Sequence, residues 1–271
     1  MQPRLLRGPR AWLALAVGSL PVLIGFAVPA AYLANETLER LHRVGGVSDS
    51  LIGALINTLA VASVATALTV GAGLVVAWAA RTIRDSDRAG WTRTCVRVAS
   101  LGYAVPGTVL AIGLLMPLLR LDQWLGALLG HGGLLLMGSA SALVIAYVIR
   151  FLAIPTGGIE AGLARIPPSL EQASRLLGES PAGTFRRVHL PLLKPALAAS
   201  ALLVFVDTMK ELPATLLLRP LNFDTLPTWL YAEAARGTYE EGAVAALAIV
   251  LAGLLPVTLL ARTQLKIGHR P

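Results

Sequence analysis

The chain has 271 residues, of which 55% are hydrophobic and only 14% charged, against about 25% charged in soluble domains. So little charge cannot cover a soluble surface, and with a mean hydropathy of +0.69 it excludes both an ordinary soluble globule and intrinsic disorder. A single cysteine (Cys95) and four scattered histidines (His42, His131, His189, His269) exclude an internal disulfide, a cysteine-ligated metal centre and a histidine metal cluster.

A membrane-crossing helix needs about 20 predominantly apolar residues. In chain order, Ala11–Ala34, Leu51–Ala80, Val98–Leu119, Leu134 to about Pro155, Pro195 to about Leu218 and Gly242–Ala261 meet that need. The fourth is interrupted only by Arg150 near one end. The first follows a basic segment with Arg4, Arg7 and Arg10, but it is longer than the about 7–15 apolar residues of a signal peptide, so a retained helix is expected. Alternation of period two is missing, and lipid demands that each backbone amide be satisfied within its own segment. The fold class is therefore all-α: a polytopic membrane helix bundle with six transmembrane helices. Small residues four apart, Ala67/Gly71 and Gly73/Ala77, allow close helix packing.

The net charge is +8, and its placement separates a topology signal from a nucleic-acid surface. Of the 23 Lys and Arg residues, 17 lie in the N-terminal tail, the loop 81–97, the loop 150–194 and the C-terminal tail. The alternate loops hold Arg40, Arg43, Arg120, Lys210, Arg219 and Arg236. With six spans both termini share the basic side, which the positive-inside rule makes the cytoplasm. Basic residues divided among four segments form no nucleic-acid-binding stripe, so no nucleic acid is expected as partner.

The longest loop on that side, about 157–194, carries helix punctuation. Pro167-Pro168 breaks the chain; Ser169 with Gln172 three residues on reads as an N-cap and capping box. A short helix over Leu170–Leu177 should follow, closed by Gly178 in a left-handed conformation. Ser180-Pro181 starts a second helix, with Phe185 and Val188 on one face, and Leu190-Pro191 should end it. Such a hairpin suits a docking surface or a membrane-lying amphipathic element equally.

Gln172-Ala173-Ser174, then Gly178, then Val188-x-Leu190-Pro191 resembles the EAA loop of ABC importer permeases: Glu-Ala-Ala, three residues, Gly, nine residues, Ile-x-Leu-Pro. The family glutamate falls on Gln172, with Glu171 beside it, and the last alanine on Ser174. Further stretches, Ala99–Gly107, Glu160–Ile166, Met209–Thr215 and Arg219–Thr225, are similar to the carboxy-terminal half of ferric-iron permeases, many of which fuse two such halves. The resemblance implies a type I ABC importer permease (MetI-like) fold. It also implies an inner-membrane subunit that forms half of the translocation path, with ferric iron as the expected substrate. ABC ATPase subunits, a second permease half, a periplasmic substrate-binding protein and the lipid bilayer would be its partners. Residues 1–50 would be a tail, the first span and an outer loop; 51–262 the permease domain with its coupling loop; and 263–271 a cytoplasmic tail. No catalytic residue, cofactor or metal site is expected in this chain. ATP would be hydrolysed by the partner, since none of the three lysines follows a glycine as a phosphate-binding loop requires.

Asp207, Lys210 and Glu211 stand at one end of the fifth span, where a charge costs roughly 2.5–3.5 kcal/mol at mid-bilayer. Helical spacing would put the three on one face. An ion pair fixing register is the simpler reading; a polar patch on the path is the functional one. Tyr103 and Tyr147 could add hard oxygen atoms, but single acids at unknown separation make no metal site. A membrane-embedded enzyme would need clustered polar residues that are missing. An ion-coupled secondary transporter would need carboxylates at mid-span and an inverted repeat. Permeases for thiamine or polyamines share the hairpin and stay open as alternatives to iron.

Overall fold

The computed structural model describes residues 7–82, 89–130 and 134–267, without the side chains of 89, 91–93, 255–256 and 259–267. Arg4, Arg84, Arg88, His131, His269 and Arg270, and the side chains of Arg93, Arg262 and Lys266, lie outside the described residues. Within them every regular element is a helix. Helix α1 runs over Pro9–Val44 and α2 over Asp49–Thr82. Next come α3 (Ala89–Ala104), α4 (Gly107–Leu129), α5 (Ser141–Phe151), α6 (Ala153–Ala164) and α7 (Pro168–Leu176). Then α8 covers Pro181–Met209, α9 Pro213–Leu218, α10 Leu226–Arg236 and α11 Tyr239–Ile267.

Among the described residues α1, α2, α4 and α8 are each long and apolar enough to cross a membrane, and α5 with α6, bent by 44°, is a fifth when the pair is taken as one span. The predicted sixth span falls within the 29-residue helix α11. Three spans differ most from expectation. Val98–Leu119 is cut at Val105-Pro106, where Pro106 is extended (ψ 139°) and caps α4. Proline fixes its own φ and denies the preceding residue helical geometry. The fourth span runs past Pro155 to Ala164, which places Arg150 inside the bent crossing rather than in a loop. The fifth begins at Pro181 instead of Pro195 and stops at Met209.

The core forms where α2, α4, α5, α8 and α9 meet, around Val61, Ala111, Leu143, Tyr147, Val204 and Leu218. A second cluster, with Ala77, Ile159, Leu163 and Leu193, joins α2, α6 and the start of α8. Of the two small-residue pairs, Gly73/Ala77 makes the close approach: a Cβ on Gly73 would sit 2.8 Å from Pro155. Ala67 and Gly71 face outward. Helix α1 buries nothing along Pro9–Ala27. Its far end is fastened by Arg40 to Glu241 (2.8 Å) and Arg43 to Glu240 (2.7 Å) of α11.

Asp122, buried in α4, organises the turn before α5. Its Oδ1 accepts the backbone amides of Leu135 (2.6 Å) and Leu136 (2.9 Å), and its Oδ2 that of Met137 (2.9 Å). Hydrogen bonds to a charged acceptor contribute about 1.5–3 kcal/mol, and a buried amide left without one costs a similar amount. Asp122→Asn turns an amino group toward these donors. Thermal unfolding in detergent should show it destabilised by about 2 kcal/mol.

Candidate functional site

The helical hairpin is built largely as its sequence dictates. Gly178 adopts φ 83°. Its amide donates to Arg175 O (3.0 Å) and that of Glu179 to Ser174 O (3.1 Å), the paired bonds of a Schellman ending. Ser180 caps the next helix by accepting the Gly183 amide (3.1 Å), with Pro181 in the first turn. Two expectations fail. The first helix starts at Pro168, capped by Pro167, and Ser169 makes no capping-box bond. Proline at the first position has no amide to satisfy and its φ is already helical, so the helix starts one residue before the serine could cap it. Nor do Leu190 and Pro191 end the second helix. A wide π turn over Phe185–His189 carries it directly into the span. The i→i+5 turn falls just where Pro191 removes a donor and its ring would crowd the preceding turn. The loop proper therefore shrinks to 165–180, and the span itself leads into the membrane.

Glu171 and Gln172 point different ways. Glu171 faces the bundle: Oε1 lies 2.6 Å from Arg81 of α2 and 2.9 Å from Nε2 of the buried His189. Arg81 also donates to the carbonyls of Leu163 and, at 3.1 Å, Ile166, which close α6. One guanidinium thus joins the end of α2, the end of α6 and the hairpin, while His189 ties the same carboxylate to α8. Partial burial pushes the Glu171 carboxyl up, but Arg81 and His189 outweigh it and hold the group below the ordinary value of 4.5. Ser174 is buried and shares a hydroxyl hydrogen bond with Thr184 (2.9 Å), locking the two hairpin helices together. Phe185 packs at a tilt against Trp78 (centroids 5.2 Å, planes at 55°), and Val188 is half-buried.

The opposite side of the hairpin is uncovered. Gln172 and Ala173 are exposed, and at the tip Leu176 and Leu177 are 89% and 84% exposed. Two bare leucines beside a rigid left-handed turn make a small apolar knob that water does not favour. Sequence reasoning missed both, because nothing in the pattern separates leucines facing outward from those facing the bundle.

The three charges of the fifth span do not share a face. The helix ends at Met209, and only Asp207 and Lys210 pair (2.8 Å), with the Tyr103 hydroxyl 3.4 Å from Asp207. Glu211, beyond the helix end and buried, turns inward to Arg150 (3.2 Å). Tyr147 bonds the Thr215 hydroxyl. Among the described residues no group of three or more metal-ligating side chains converges.

Comparison with known proteins places this geometry. Residues 69–266 match the family model described as "Binding-protein-dependent transport system inner membrane component". The chain is 30% identical over 226 residues to the Fe(3+)-transport system permease protein FbpB 2 of Haemophilus influenzae; the match covers 83% of this chain and 42% of that protein. The chain thus spans less than half the length of that relative. It is 26% identical over 243 residues to a putative 2-aminoethylphosphonate transport system permease protein, PhnV, of Salmonella typhimurium, covering 90% of this chain and 84% of the relative. A chain of a bacterial alginate ABC transporter, solved in complex with an alginate-pentasaccharide-bound periplasmic protein, superposes with TM-score 0.73 at 16% identity over 96% of each chain. A chain of the MetNI methionine ABC transporter gives TM-score 0.59 at 18% identity, covering 80% of this chain and 97% of that one.

Proposed function

The chain belongs to the family of binding-protein-dependent transport system inner membrane components, and from that premise we propose that it is one half of the path of an ATP-driven importer for ferric iron. Family membership makes it an ABC importer permease, a multi-pass membrane component without an ATPase site of its own. The remaining particulars are our reading. The observation that carries it is the hairpin: a left-handed turn with bare Leu176 and Leu177 on one side, and Glu171 tied to α2 through Arg81 and to α8 through His189 on the other. A separate ATPase pair would grip the knob and hydrolyse ATP, so this chain needs no cofactor. A second permease half would complete the path, and a periplasmic protein would deliver the substrate. Exposed charge is not left to lipid, so the Tyr103–Asp207–Lys210 group would face either the path or the second half. The basic side that carries the hairpin would be cytoplasmic, with both termini on it.

Iron is supported by the ferric-permease relatives at 30% and 31% identity. A second reading, 2-aminoethylphosphonate, is favoured by one observation: the match to the phosphonate permease covers 84% of that relative. Uptake of labelled ferric iron and of 2-aminoethylphosphonate in cells lacking this chain, with thiamine as control, separates them. Loss of iron uptake alone is expected. Loss of phosphonate uptake alone rejects iron and keeps the permease, and loss of thiamine uptake alone moves the substrate to a third class.

A further inference from the structure

The spans of this bundle are broken in three places, and the breaks meet at one ion pair. Helix α3 gives way to α4 at Val105-Pro106, α5 bends into α6 at Leu152, and α8 ends before α9 at Lys210–Leu212. Arg150, two residues before the second break, donates from Nη1 to the Val105 carbonyl of the first (2.8 Å). Its Nε lies 3.2 Å from Oε2 of Glu211 in the third. Glu211 Oε1 accepts the Ala214 amide that opens α9 (3.2 Å). The Tyr147 hydroxyl, one turn before Arg150, reaches Glu211 O at 3.4 Å. The fit is close: a Cβ on Gly107 would stand 2.5 Å from Glu211 Oε1 and 3.2 Å from Arg150 Nη1. Beside the carboxylate runs a small cleft lined by Thr58, Tyr147, Thr208, Thr225 and Pro227.

Broken backbone at membrane depth must find its partners inside the protein. Here the guanidinium supplies one to the first break and the carboxylate one to the third, while Thr156 bonds the Leu152 carbonyl at the second (2.8 Å), two residues from Arg150. A path that opens to one side at a time needs a bundle with two packings, and unfastened breaks are where packed helices turn. We propose that Arg150–Glu211 is a latch: it holds the three breaks in the packing seen here and is released when the bundle switches. This rests on the permease reading. It makes Arg150 and Glu211 positioning residues for transport, acting through the breaks rather than by touching substrate.

The test is Glu211→Gln in the complete complex with the ATPase and second permease half, reconstituted in lipid, with basal ATP turnover measured without the binding protein and uptake measured with it. A latch removed lowers the barrier between packings, so basal ATP turnover should rise at least five-fold while uptake falls at least ten-fold. A pair that merely supports the fold would lower both together. Turnover that stays within two-fold of wild type, or falls with uptake, overturns the latch. Should Glu211→Gln fail to assemble, Glu211→Asp keeps the charge and shortens the reach; raised turnover is again expected, and unraised turnover overturns the proposal. If the wild-type complex itself shows no ATP-dependent uptake, the permease reading fails, a result distinct from any of these.

Discussion

Arg81→Ala should disconnect the hairpin from the bundle while leaving the hairpin able to bind its ATPase. Expected is a drop in uptake of at least thirty-fold, with co-purification of the ATPase retained. The reason is the arrangement around the guanidinium. Removing it strands the Glu171 carboxylate, which is about one-fifth exposed, together with the carbonyls of Leu163 and Ile166. A partly exposed pair contributes less than the about 3–5 kcal/mol of a fully buried one, but this guanidinium ties α7 to α2 and α6 at once, so α7 should loosen from both. Glu171→Gln keeps shape and hydrogen-bonding capacity but not charge, and should lose less. The same joint has a pH signature. The Glu171 carboxyl sits below its ordinary value of 4.5 in the folded chain. A depressed carboxyl stabilises fully above its unfolded value and loses that stabilisation as pH falls through its folded value. Coupling should therefore hold at neutral pH and decline progressively below about pH 4.5. Stability of the hairpin against proteolysis, followed from pH 7 to pH 4, checks the sign. A hairpin that becomes firmer on acidification contradicts it.

Leu176→Asp with Leu177→Asp should do the opposite: leave the hairpin seated on the bundle and abolish its grip on the ATPase. The two side chains are almost fully exposed, so their replacement should barely change stability. At an interface, however, burying an apolar side chain of this size contributes about 1.5–3 kcal/mol. Two would account for a hundred-fold or greater change in affinity, and a carboxylate buried there would add to the loss. Co-purification should vanish while expression, membrane insertion and thermal stability stay near wild type. Loss of expression in step with loss of binding would place these leucines in the fold instead.

The contrast between these variants also marks where the sequence stopped being legible. Apolar blocks gave the crossings, since lipid imposes a length that can be counted. The Gly178 turn and the Ser180-Pro181 start were readable because each rests on local backbone chemistry. Helix ends at Ser169 and Pro191 were misjudged where two local signals competed: proline at the first helical position pre-empted the serine cap, and a π turn absorbed a proline that ordinarily stops a helix. Arg150, Glu211 and Asp122 could not have been read correctly from spacing. Arg150 looked like a loop residue, and Glu211 like a helical neighbour of Asp207; both are settled by contacts with residues tens of positions away. Arg81 is the same case, a cation counted for topology that serves as a joint.

One measurement bears most directly on the hairpin as the point where an external motor acts. With Leu177→Cys in a Cys95→Ser background, a short thiol cross-linker should join this chain to an ATPase subunit in native membranes, and ATP should change the yield. Cross-linking to lipid-facing probes, or labelling of Cys at 177 by a reagent confined outside the cell, would contradict the proposed role of the hairpin.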